Sequence, residues 1–254
     1  MTVADLVRAE WTKLRTVRST AWTLLLALAL CAGLGYFAGL SLGRDPDNAS
    51  PFDPLFPTFY SLTLGQLAIV AFAVFAVGAD YSSGTIRWAL RAVPRRGVRY
   101  AAQLATIGLV LAVAAAVLVP ATFAAAQAGL GSRRVGLDHP GAAQAVVGAW
   151  LYLVLVGLFA AGLTTLLRSA TVSLCVLLPL FFLGSQGLGN IPKIRTVTQF
   201  LPDQGSWVIL HLAGPPDDPR WARAYGPWSG MALVAAWAAA ALLAGYLAQR
   251  RRDG

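Results

Sequence analysis

Charge is what this sequence has least of. Only 12% of its 254 residues are Asp, Glu, Lys or Arg, about half the share of a soluble globular domain, and six stretches of more than twenty residues contain none. A water-soluble fold is excluded on that ground. Lysine is scarcer still: Lys13 and Lys193 are the only two, and neither follows a glycine. No Gly-x-x-x-x-Gly-Lys-[Ser/Thr] phosphate loop therefore exists, and the chain cannot be its own ATPase of that kind. The two cysteines, Cys31 and Cys175, both fall inside apolar blocks, where a thiol is a small buried hydrophobe, so no disulfide framework is expected. His139 and His211 have no second ligand at metal spacing, so no zinc site is expected.

What is present is apolar sequence: 57% hydrophobic residues and a mean hydropathy of +0.63. It is gathered into blocks at about 20–42, 58–79, 100–129, 143–167, 170–189 and 229–248, each close to the ~20 residues that span a bilayer. The fold class that follows is all-α integral membrane, six transmembrane helices in one domain over residues 1–254. Pro120 and Pro179 predict kinks or tilt in the third and fifth blocks. The division at Arg168-Ser169 is the tightest. The first apolar stretch begins near Ala21, is a full span long and lacks a small-residue cleavage site, so it is expected to stay in the mature protein.

Basic residues set the orientation. With the N-terminus in the cytoplasm, the inner segments hold Arg8, Lys13, Arg15, Arg18, Arg87, Arg91, Arg95, Arg96, Arg99, Arg168 and Arg250 to Arg252, against only Asp5, Glu10, Asp80 and Asp253. The outer segments are balanced, Arg44, Arg133, Arg134, Lys193, Arg195, Arg220 and Arg223 standing against seven aspartates. Both termini are expected inside a cytoplasmic membrane. The net charge of +9 is then topological, and nucleic acid is not an expected partner.

Two segments carry mechanical features. Val3, Leu6, Val7, Trp11, Leu14 and Val17 share one helical face opposite Arg8, Thr12 and Arg15 with Lys13 nearby, which predicts an amphipathic helix over 3–18 lying in the inner interface. A topogenic anchor would look the same. Between the second and third blocks, Ser82 or Ser83 can cap a short helix that Pro94 stops. Its faces are Ile86, Ala89, Leu90 and Val93 on one side, and Arg87, Arg91 and Arg95 at four-residue steps on another. A basic loop against anionic lipid would explain the arginines but not this cap-helix-stop order.

Tyr81-Ser82-Ser83-Gly84-Thr85-Ile86-Arg87, followed by Val93-Pro94-Arg95-Arg96, resembles the first cytoplasmic loop of type-2 ABC-transporter permeases. Glu10-Trp11-Thr12-Lys13-Leu14-Arg15-Thr16, leading into the first span, resembles the start of the same proteins. Asp80 stands where many of them carry Glu. The resemblance implies an interfacial connecting helix that includes Trp11, Lys13, Leu14 and Arg15. It also implies a coupling helix near 82–92, with Tyr81, Ser82, Ser83, Gly84, Thr85, Ile86, Arg87, Leu90 and Arg91 docking on an ABC ATPase subunit. ATP and Mg would be bound by that partner, none in this chain, and a second permease copy or a similar permease would complete a dimer in the bilayer. Residues from Gln199 to Leu210 resemble the short outer or re-entrant helices of the family.

Within the spans, Gln66, Gln103, Gln127 and Gln186, with Thr164 and Thr165, are candidates to line a path, although helix-to-helix hydrogen bonding is the commoner use of such groups. So few polar residues suggest a hydrophobic or amphipathic cargo. The expected function is the permease subunit of a bacterial ATP-driven exporter, a transport subunit and not itself an enzyme. An ion-coupled secondary transporter is the alternative, and Gly184-Ser185-Gln186-Gly187 with His211 leaves an intramembrane hydrolase as a third.

Overall fold

The computed structural model describes residues 3–16, 18–44, 53–82, 96–187, 190–191, 193–215, 218 and 221–252. Regular structure among them is entirely helical: α1 (Val3–Thr16), α2 (Arg18–Gly43), α3 (Phe56–Tyr60), α4 (Leu62–Ser82), α5 (Arg96–Leu130), α6 (Ala142–Leu167), α7 (Ala170–Gln186), α8 (Arg195–Thr198) and α9 (Pro227–Arg252), with a 3₁₀ turn at Gly131–Arg133.

Five stretches are long and apolar enough to cross a membrane: Ala21–Gly43, Phe56–Tyr81, Gly97–Arg133, Ala142–Leu167 and Pro227–Arg251. The sixth expected span, α7, is a shorter apolar helix of 17 residues that rises about 26 Å, the lower end of the length that crosses a hydrocarbon core. Its limits have local causes. Ser169 caps the start, its hydroxyl accepting from the Val172 N–H at 3.3 Å. Gly187, at φ 153°, closes the other end, so that α7 stops at Gln186, three residues before position 189 of the expected block. Arg168 takes a left-handed conformation, φ 58°, as the last residue before that cap. The Arg168-Ser169 joint is therefore a two-residue turn that reverses the chain and sets α7 against α4 more than against α6. At 35 residues, α5 is about 52 Å long and outruns the hydrocarbon core; α1 packs along it. Pro120 lies inside α5 without ending it.

The spanning helices are apolar on every side, so contact rather than amphipathicity decides which lie at the centre. In the apolar stretch that contains α4, 72% of the residues are buried inside the molecule, and in that of α2 only 22%. α4 is thus the core helix, with Ile69, Phe72, Ala73 and Val77 against Leu111, Leu153, Leu177 and Phe181. α2 sits on the periphery, with Trp22, Leu25, Leu26 and Phe37 open to the surroundings. Two helix crossings depend on small residues, the usual basis of close approach where lipid replaces water as solvent. Gly35, Gly39 and Gly43 repeat at four-residue steps along α2 and meet α5: a Cβ on Gly39 would fall 2.3 Å from the Ala126 carbonyl oxygen, and one on Gly129 2.3 Å from that of Tyr36. Likewise a Cβ on Gly162 of α6 would lie 2.6 Å from the Leu242 nitrogen of α9.

Candidate functional site

At the α1 end of the bundle a buried ionic cluster forms around Asp80. Its carboxylate accepts from Lys13 Nζ at 2.7 Å through Oδ1, and from Arg99 Nη2 at 3.1 Å and Gln103 Nε2 at 2.9 Å through Oδ2. Lys13 also reaches Glu10 at 3.1 Å. Two cations face two carboxylates, and the side chains of Asp80 and Arg99 are 7% and 6% exposed. Such charges are kept buried only when each is paired and hydrogen-bonded. The cluster joins three elements far apart in sequence: α1 through Lys13, the last turn of α4 through Asp80, and the first turns of α5 through Arg99 and Gln103.

Neighbouring aromatic residues extend it. Tyr81 donates to the Thr165 carbonyl of α6 at 3.5 Å, with the Arg168 guanidinium 6.0 Å from its ring centre. Tyr100 donates to the Leu242 carbonyl of α9 at 3.1 Å and stacks on Tyr246. The two chain ends that enclose residues 83–95 are therefore tied to one another by Asp80–Arg99 and to α1, α6 and α9 by one side chain each. Of the coupling residues expected from sequence, Tyr81 joins this cluster and Ser82 is the last residue of α4. Ser83, Gly84, Thr85, Ile86, Arg87, Leu90 and Arg91 lie outside the described residues.

On α1, Leu6 and Leu14 are buried while Trp11 is 40% exposed, and Arg8, Thr12 and Arg15 are exposed. Trp11, read in sequence as part of the apolar face, is exposed instead, while Lys13 on the same helix reaches Asp80.

The other polar residues of the spans bond within the protein. Gln103 belongs to the Asp80 cluster. Gln66 donates to the Thr63 carbonyl at 2.9 Å and accepts from Tyr152. Gln127 donates to the Pro54 carbonyl at 3.0 Å and accepts from the Val135 N–H at 2.8 Å, pinning the chain before α3 to the turn after α5. Thr164 and Thr165 bond to carbonyls of their own helix. Gln186 is exposed at the end of α7, within 3.4 Å of the Tyr60 and Thr63 hydroxyls. Ser185 donates to the Phe181 carbonyl at 2.6 Å, and His211 Nδ1 pairs with Asp53 at 2.7 Å, so each side chain is engaged apart from the other.

A second polar assembly closes the far end, and sequence reading passed over it. Residues 199–213 run as successive turns, with Pro202 to Trp207, Ile209 and Leu210 buried. Gln204 donates to the Gly184 carbonyl at 3.0 Å and accepts from Arg223 at 2.8 Å; Tyr225 donates to the Gln204 carbonyl at 2.6 Å. Arg223 also bonds Asn190 at 2.7 Å and lies 4.6 Å from the centre of the Trp207 ring. Asp203 is the acid of this assembly, 2% exposed; burial pushes its carboxyl up to about 7, although Gln204 and the positive Arg223 pull the other way. Its only signal in sequence was an acid set between Pro202 and Gln204 in a stretch rich in Trp, Ile and Leu.

Among the described residues, no group of His, Cys, Asp and Glu could hold a metal ion. By the length and composition of its helices, the chain is a multi-pass, all-helical membrane protein. Comparison with protein-family models and with curated proteins finds no match.

Proposed function

We propose that the chain is the membrane-spanning subunit of an ATP-driven exporter of the type-2 ABC permease kind, with six spans, both termini in the cytoplasm and an ATPase bound at the coupling segment near residues 82–92 of the loop 80–99. The observation that carries the reading is the wiring of Asp80, Tyr81, Arg99 and Tyr100. A load applied to 83–95 enters the bundle through these residues and reaches α1, α6 and α9 directly, which is what a subunit driven by a separate motor needs. The resemblance of residues 10–16 and 81–96 to that family supports the same reading, as does the absence of a phosphate loop from this chain. The engagement of Gln66, Gln103 and Gln127 within the protein leaves apolar surface for a path, consistent with a hydrophobic or amphipathic cargo moving between two such subunits.

The test is a tagged pull-down from native membranes, with residues 83–95 intact or replaced by a flexible linker of equal length. Recovery of a phosphate-loop ATPase with the intact chain alone is expected. Equal recovery with both chains, or none with either, overturns the reading. One observation, the buried acid Asp203, favours ion-coupled secondary transport as a second reading. In that case transport into vesicles stops when the ion gradient is collapsed while ATP is still supplied.

A further inference from the structure

We propose that Asp203 is a proton-binding site that latches the 199–213 segment onto the bundle: the segment is seated while Asp203 holds its proton, and loss of the proton releases it. In the topology proposed above this segment closes the outer face, but the inference rests on local geometry and needs no ATPase.

The carboxyl is enclosed on all sides. Oδ2 accepts from Gln204 Nε2 at 2.5 Å and occupies the space where a side chain on Gly184 would begin, 2.1 Å from that Cβ position. Oδ1 is buried with no hydrogen-bond partner. An ionised carboxylate oxygen in that position would lack the donors that make buried charge tolerable, whereas a protonated one carries no charge. Next to it is a cavity of about 10 Å³, lined among others by Gln66, Tyr152, Ser185 and Ser206, roughly the room one water molecule needs. On ionisation the Oδ1–H bond breaks, the proton passes to water there, and the electron pair stays on the carboxylate.

The charged and titratable groups that act on Asp203 come from few elements. Arg223, Tyr225 and, from α6, Tyr152 surround it, while α4 contributes Gln66 and Thr63, and α7 Gly184 and Ser185, none of which titrates. Arg223 is the counter-charge, yet its Nη2 is committed to Asn190 and Gln204 and its Nη1 to the carbonyls of Trp221 and Ala222, while its Nε is buried without a partner. To pair with a negative Asp203 the guanidinium must turn, which breaks its bonds to Gln204 and Asn190; the Gln204 amide that bonds the Gly184 carbonyl then loses its orienting partner, and the segment its anchor on α7.

Released, Asp203 titrates near the ordinary value of 3.8; seated, near 7. The seated state thus holds the extra proton. Its advantage is complete below about pH 4, falls as pH rises, and stays at its lowest above about pH 7, with the released fraction growing about tenfold per pH unit in between.

The test is hydrogen exchange on the full chain in lipid nanodiscs from about pH 5 to about pH 8, corrected for intrinsic amide rates. Amides of 204–212 are expected to lose protection by about tenfold per pH unit up to about pH 7 and then level off, while α4 amides show no such trend; Asp203→Asn, neutral at every pH, is expected to abolish the dependence. A flat profile in the unsubstituted protein, or an unchanged slope in Asp203→Asn, overturns the proposal. Should the variant not fold, infrared titration of the unsubstituted protein decides: a protonated-carboxyl band that fades around pH 7 supports the latch, and its absence at pH 5 refutes it.

Discussion

Asp80 is the residue on which most of the α1 end depends. It accepts from two cations and an amide, and Arg99 beside it is 6% exposed, so neutralising Asp80 leaves a guanidinium buried and uncompensated. Asp80→Asn is expected to cost about 3–5 kcal/mol, read as a lower unfolding midpoint in detergent, and Asp80→Glu, which keeps the charge, considerably less. The double variant Asp80→Asn with Arg99→Met should be less damaged than the sum of the single ones, since removing both charges removes the unpaired ion. Additive losses would mean that the pair does not act as a unit. Asp53 behaves differently because it is about two-fifths exposed. Burial alone would raise its carboxyl, but hydrogen bonds from His211 and from the Leu55 N–H, with the positive charge of His211 and His139, hold it below the ordinary carboxylate range. Its contribution is thus present above the unfolded value near 3.8 and lost as pH falls through the lower folded value. Solvent limits it to under about 1 kcal/mol. Thermal unfolding from about pH 6 downward should show Asp53→Asn converging on the unsubstituted protein only at the acid end.

Among the elements, the tightest contacts are those made by glycine. Because a Cβ at Gly39 would sit 2.3 Å from a carbonyl oxygen of α5, Gly39→Val must push α2 away from α5. A loss of about 1–3 kcal/mol or more is expected, whereas the same change at Gly33, with nothing within 4 Å, should cost little. Unfolding midpoints of the two variants provide the comparison. The helices themselves were legible because a membrane span must satisfy its backbone internally and be apolar throughout, so run length alone located all of the long ones within a few residues. Asp80 could be picked out as an acid at the edge of a span. Its partner Lys13 could not, being 67 residues away on a helix read as lying flat in the interface. Asp203 was hidden for another reason: residues 199–210 resemble the short outer or re-entrant helices of a family, and nothing local reveals that the bundle folds around the one acid among them. The short α3 was missed in the same way, as five residues carry too little periodicity to register.

For the molecule as a whole, charge and structure bear on one question, which side of the membrane each end occupies. The α1 end collects the N-terminal helix, the chain ends around 83–95, Arg168 and the C-terminal arginines; in sequence these segments hold thirteen basic residues against four acids. The far end is balanced, and there aspartates pair with His211 or lie buried beside Arg223. A bilayer inserts such a chain with its basic end in the cytoplasm, and the Asp80 cluster, two cations with two carboxylates, leaves that excess unchanged. Topology is set during insertion, before Lys13 and Asp80 can meet, so the full count applies and the proposed orientation follows. Single cysteines on a Cys31→Ala, Cys175→Ala background check it. With a membrane-impermeant maleimide on intact cells, Ser132→Cys and Leu137→Cys, both exposed at the far end, should label at once, while Thr12→Cys and Arg251→Cys should label only after the membrane is opened. The reverse pattern would put residues 83–95 outside the cell, beyond reach of any cytoplasmic ATPase, and would end the exporter reading however well the ionic cluster is built.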